Sequence, residues 1–149
     1  MDVAEGKTVA VFGPGAMGLS AIMAAMIVAT VDLKESRLET ARKLGATHTI
    51  FGGRGKTTVG QIRELCLSAR GVDFAIDTTG SVKVIGDMIK ALGAKGKALT
   101  IGAPKVGACV ELDVNEMIEP GKQHMGCGEG DSVPQEVGIR LPHSLLPAP

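Results

Sequence analysis

A chain of 149 residues whose 16 Lys and Arg balance 16 Asp and Glu carries no net formal charge, so it lacks the broad electrostatic pull that draws proteins to nucleic acid or anionic membranes. Its hydrophobic fraction of 44% excludes a disordered chain and suffices for one core; with no Trp, no Tyr, 3 Phe and 21 Gly, that core is built from small and aliphatic side chains. Three widely spaced cysteines, Cys66, Cys109 and Cys127, show neither a CxxC pair nor a metal-site spacing, and read as free thiols of a reducing cytosol. The amino terminus has no basic region ahead of an apolar run, and the apolar run at residues 19–31 is short of the roughly 18 residues of a membrane span. The expectation is a cytoplasmic protein that meets neither membrane nor nucleic acid.

In chain order, short β-branched runs alternate with helical stretches. Residues 8–12 predict a buried strand and residues 16 to about 26 a helix. A second strand follows at 27–31, then a helix at 35–44 that Gly45 ends. Residues 47–50 predict a third strand. Residues 58–69 predict an amphipathic helix with Val59, Ile62, Leu65 and Cys66 on one face. A fourth strand is expected at 73–76, a helix at 82–92, a turn at GAKGK, and a fifth strand at 98–101. Residues 124–127 form a candidate sixth strand and 133–141 a final short helix. Such alternation predicts an α/β fold, a doubly wound parallel sheet of about six strands with helices on both faces.

The stretch VAVFGPGAMG, residues 9–18, runs a strand into Gly-x-Gly-x-x-Gly and then a helix. Gly13 lets the chain turn off the strand, Gly15 lets a pyrophosphate approach the backbone, and Gly18 lets the helix pack on the strand. The loop between and beside them, Pro14, Ala16 and Met17, opens that helix, whose amide-bearing end favours phosphate. Asp32 lies at the end of the second strand, where a carboxylate accepts hydrogen bonds from two ribose hydroxyls and repels a 2′-phosphate. The pattern favours NAD over NADP. Arg37, five residues on, reads either as a neighbour of that ribose or as a surface charge. DTTG (77–80) and IGAP (101–104) follow strands, where ligands of doubly wound sheets sit. Alone, each is equally an ordinary strand–helix turn. His48, His124 and His143 are scattered and read as structural or solvated.

With GKTVAVFGPGAMGLSAIMAA, VDLKESRLETARKLGATHTI, GVDFAIDTTG, GKALTIGAP and GEGDSVPQE in place, residues 6–136 resemble the cofactor-binding (Rossmann) domain of zinc-dependent medium-chain alcohol dehydrogenases, closest to the aryl- and benzyl-alcohol branch. The resemblance implies a dinucleotide-binding domain over residues 1–136 and a divergent, irregular tail at 137–149. It implies that Gly13, Gly15 and Gly18 hold the pyrophosphate and that Asp32 binds the adenosine ribose beside Arg37. Thr78, Thr79 and Gly80 would flank the second ribose, Ile101 and Ala103 the nicotinamide, and the backbone around Cys127 and Glu129 its carboxamide. It also implies a homo-oligomer, a dimer through the sheet edge. The family's zinc domain and zinc ligands have no counterpart in this sequence, so no catalytic or metal residue is assigned and the chain is expected to be inactive alone, as a fragment or truncated product. The connection SAIMAAMIVATVDL is shorter than the family's, so part of residues 23–28 must serve as the loop before Asp32.

Other classes fit less well. A short-chain dehydrogenase uses a Tyr, and there is none. A hydroxy-acid dehydrogenase needs a His set with a carboxylate and an Arg, for which His124, Asp131 and Arg140 are poorly placed. A methyltransferase shares the acid after the second strand but not the DTTG and IGAP turns. A stand-alone NAD-sensing module remains the alternative to an oxidoreductase domain, since one fold serves both.

Overall fold

The computed structural model describes residues 3, 6–25, 27–52, 57–66 and 70–128. Six strands, β1 (Thr8–Phe12), β2 (Ile27–Asp32), β3 (His48–Phe51), β4 (Val72–Asp77), β5 (Leu92–Thr100) and β6 (Gln123–Gly126), form one sheet in the order β3-β2-β1-β4-β5-β6. Every neighbouring pair is parallel. The order reverses between β2 and β4, on either side of β1. That reversal opens a crevice above the carboxyl ends of the strands, where doubly wound folds bind ligands.

Buried faces on both sides explain why β1 is a near-continuous apolar run. Ala10 and Phe12 point to the layer of α3 (Thr58–Leu65) and α4 (Val82–Ala91), where Ile62, Ile85, Met88 and Ile89 meet Ala75 and Ala98. Val9 and Val11 point the other way, to α1 (Ala16–Ala24) and α2 (Glu35–Lys43), where Ile22 and Ala41 meet Phe74 and Ile76. The predicted fold class is therefore the observed one.

Several boundaries move. α1 ends at Ala24, about two residues before the expected end, and Ala25 is already extended, so the helix is shortened to make the connection to β2. α2 ends at Lys43 and Leu44 caps it, with the Gly45 amide on the Arg42 carbonyl and the Ala46 amide on the Ala41 carbonyl. α3 ends at Leu65, and its Cys66 cap is extended; the remainder of the predicted helix, 67–69, lies outside the described residues. Ile62 and Cys66 are buried there, but Leu65 is 41% exposed. At 3.6 residues per turn Leu65 falls on the flank of the stripe that Val59, Ile62 and Cys66 share.

GAKGK is not a separate turn before a strand but an irregularity inside β5: Leu92 pairs with Val72, then Lys97 with Phe74. The extra residues bulge between the two pairs, with Lys95 in the left-handed region at φ 56 and its amide on the Pro120 carbonyl. A helix that the sequence did not signal, α5 (Val114–Ile118), precedes β6; Asp113 caps it through the Asn115 amide. The expected helix at 133–141 and the tail at 137–149 lie outside the described residues. Among those residues, no helix is long and apolar enough to cross a membrane.

Candidate functional site

A cleft of about 670 Å³ opens above the ends of β1, β2 and β4, within the roughly 300–1,000 Å³ usual for cofactor and small-molecule sites. Its lining includes Phe12, Gly13, Gly15, Val31, Asp32, Leu33, Lys34, Arg37, Thr78 and Thr79, together with Gly52, Thr58, Ser81, Lys83, Val84 and Asp87.

The glycine loop is fixed by contacts no larger residue allows. Gly13 sits at φ +83, and a Cβ there would lie 2.6 Å from Thr79 Cγ2. A Cβ at Gly18 would collide with the Gly13 carbonyl, so this glycine seats the first turn of α1 against the loop. Gly15 differs: a Cβ there would meet nothing within 4 Å. Its missing side chain is not required by protein packing and leaves open space facing the cleft. Gly15 is also the N-cap of α1, and no side chain caps this helix. An uncapped helix start directs amide groups and partial positive charge toward whatever occupies that space. Pro14 and Gly18 are buried behind the loop, and Ala16 and Met17 are exposed at the helix start.

Asp32 ends β2 with its side chain only 7% exposed. Its Oδ1 accepts a hydrogen bond of 2.7 Å from the Lys34 amide, and its Oδ2 one of 3.4 Å from Arg37 Nη1. A carboxylate offers about four lone-pair sites, so acceptor capacity remains on the cleft side. Arg37 is thus held beside Asp32, with its side chain still half exposed. The shortened connection leaves Asp32 in the cleft wall.

The third component was only partly visible in the sequence. The Thr78 amide donates to the Phe12 carbonyl at 3.0 Å, and its hydroxyl donates to the carbonyls of Phe12 and Gly13, tying β4 to the glycine loop. Gly80 lies at φ +65 with Ala103 so close that a Cβ would sit 2.6 Å from its carbonyl oxygen, and a Cβ at Gly102 would strike the Gly80 amide. The DTTG and IGAP turns therefore pack backbone on backbone. Ala103 stands against Gly80, and the Ile101 amide donates to the Asp77 carbonyl at 2.9 Å; neither residue is among those lining the cleft. Cys127, half-buried, gives its amide to the Thr100 carbonyl at 3.0 Å. Glu129 lies outside the described residues. What sequence reasoning missed is Asp77: wholly buried, it accepts hydrogen bonds from the Thr79 amide (3.0 Å), the Thr79 hydroxyl (2.6 Å) and the Gly80 amide (3.2 Å). The one signal, an Asp followed two residues later by Thr, is the pattern of an Asx turn, which solvated loops carry as well.

The remaining titratable groups of note stand away from the cleft. Burial, then the charge of Asp73, push the Cys66 thiol up, and its Sγ donates to the Ile62 carbonyl, so it is an inert core thiol. His48 contacts Thr47 Oγ1 and His124 contacts Thr100 Oγ1. Among the described residues no three His, Cys, Asp or Glu side chains gather in a way that could hold a metal ion.

Against known proteins, residues 13–139 match the family described as zinc-binding dehydrogenase. A solved alcohol dehydrogenase zinc-binding domain protein from Burkholderia ambifaria is 42% identical, with a TM-score of 0.82 over 89% of this chain and 36% of that one. The benzyl alcohol dehydrogenase of Acinetobacter calcoaceticus is 37% identical, with a TM-score of 0.79 over 89% and 39%. An aliphatic (R)-hydroxynitrile lyase of Linum usitatissimum is 36% identical over 66% of this chain and 25% of its own length. This chain therefore spans well under half the length of each of these relatives. The crevice, the glycine loop and the acid at the end of β2 thus stand in a matched stretch that covers most of the sequence, and the chain belongs to the zinc-binding dehydrogenase family.

Proposed function

We propose that this chain is the cofactor-binding part of an alcohol-oxidising dehydrogenase and that it takes NAD(H) in preference to NADP(H). The observation that carries the preference is Asp32, a carboxylate held in the cleft wall by the Lys34 amide and Arg37 with acceptor capacity left over. Two ribose hydroxyls donate to such a group, whereas a 2′-phosphate placed there meets like charge at close range. The open space at Gly15 and the uncapped start of α1 suit the pyrophosphate. Thr78, Thr79 and Gly80 then border the second ribose, and Ile101, Ala103 and the backbone at Cys127 the nicotinamide end.

The dinucleotide, when bound, supplies the hydride-transfer chemistry. This chain's residues bind and orient it: the glycine loop fixes the phosphates, Asp32 fixes the adenosine, and the packed turns after β4 and β5 limit where the far end can lie. One domain of this kind serves more than one reaction, and the substrate is set by the rest of the enzyme. The exposed edge strand β6, together with exposed Val106, Val114 and Ile118, supports self-association into a homo-oligomer. The test of the cofactor reading is Asp32→Ala. NADH affinity, followed by nicotinamide fluorescence, falls roughly tenfold, the loss of one or two hydrogen bonds to a charged group, and the gap between NADH and NADPH narrows. An unchanged gap contradicts the assignment.

A further inference from the structure

Asp77 is wholly buried, and it does not line the cleft. No cation is paired with it among the described residues; its partners are the Thr79 amide, the Thr79 hydroxyl and the Gly80 amide. A buried carboxylate is costly unless its oxygens are well hydrogen-bonded, so this side chain does something a Ser or Asn turn would not need. A chain of hydrogen bonds shows what. The Ser81 amide donates to Thr79 Oγ1, and Thr79 Oγ1 donates to Asp77 Oδ1, just ahead of α4. Negative charge there complements the positive start of that helix. The turn so fixed touches both other loops of the crevice: Thr79 Cγ2 stands where a Gly13 side chain would be, and Gly80 stacks on Gly102 and Ala103.

We infer that Asp77 is a positioning residue for the dinucleotide, holding the Thr78–Gly80 turn in the register that the far half of the cofactor requires. The inference rests on the cofactor reading given above. The adenosine end is held differently, by Asp32, Lys34 and Arg37, none of which bonds to Asp77. α4 itself is anchored independently by buried Ile85, Met88 and Ile89. Disturbing Asp77 therefore separates the two halves of the site.

The experiment compares NADH with AMP, a probe of the adenosine end alone, on the unaltered chain and on Asp77→Asn. Asn keeps the shape but only one acceptor oxygen, so its NH2 group faces either the Thr79 amide and hydroxyl or the Gly80 amide, each a donor itself. NADH affinity falls roughly tenfold while AMP affinity changes by less than about twofold, below one such bond. If Asp77→Asn does not fold, Asp77→Ser, which keeps an acceptor oxygen in a smaller side chain at the same buried position, is titrated in its place and shows the same NADH-selective loss. NADH and AMP affinities that fall together, or a NADH affinity that does not move, overturn the positioning role while the cofactor reading stands. An unaltered chain that binds neither NADH nor NADPH overturns that reading, and this role with it.

Discussion

At the scale of single residues, the three glycines of the loop have separable tasks, and the separation is measurable. Gly18→Ala forces a Cβ into the Gly13 carbonyl, an overpacking that costs about 1–3 kcal/mol, read as a lower denaturant midpoint. Gly15→Ala puts a methyl into open space at an ordinary φ of −80. Stability falls by less than about 1 kcal/mol, the N-cap difference between Gly and Ala, yet on the proposed cofactor reading NADH binding weakens, because the methyl enters the open space assigned to the pyrophosphate. Equal losses of stability in the two variants would contradict the distinction. The turn at Gly13 and the close approach at Gly18 were legible because each needs a residue without a Cβ for one mechanical reason. Asp77 was not, because an Asp at a strand end reads equally as a solvated loop residue until β1, β4 and β5 close around it, pairing it with Phe12 and Thr100.

At the scale of elements, β1 and β4 are clamped where they begin as well as where they end. Asp73 accepts from the Thr8 amide, the Thr8 hydroxyl and Lys7 Nζ, and its own amide donates to Thr8 Oγ1. Burial raises the pKa of its carboxyl, but the bonds from the Thr8 amide, Lys7 and the Thr8 hydroxyl, with the Lys7 charge, outweigh this and hold it below the ordinary Asp value. A carboxyl depressed in the folded state stabilises above its unfolded pKa of about 3.9 and loses that contribution as pH falls through the folded value. The difference in urea midpoint between the unaltered chain and Asp73→Asn is therefore present at pH 6 and shrinks below about pH 4. A difference that stays constant across that range would contradict the clamp. Strands were legible because their apolar runs are buried on both faces. The GAKGK irregularity was not, because its glycines signal a turn equally well when the chain bulges and rejoins the same ladder. α5 was not, because a five-residue helix with no buried side chain leaves no apolar period to read.

At the scale of the whole molecule, the strand order puts the glycine loop, Asp32 and the two packed turns at one end of the sheet, over the point where the order reverses. Residues from Phe12 to Asp87 become one lining, and the alternation of strands and helices foretold that the glycine loop, Asp32 and the turn after β4 share one end of the sheet. The measurement that tests this account most directly is a calorimetric titration of the unaltered chain with NADH beside NADPH, with folding verified by circular dichroism. The account predicts saturable binding of NADH near one site per chain, with NADPH at least about tenfold weaker for one unfavourable charge contact. A folded chain that binds neither, or that prefers NADPH, would contradict it.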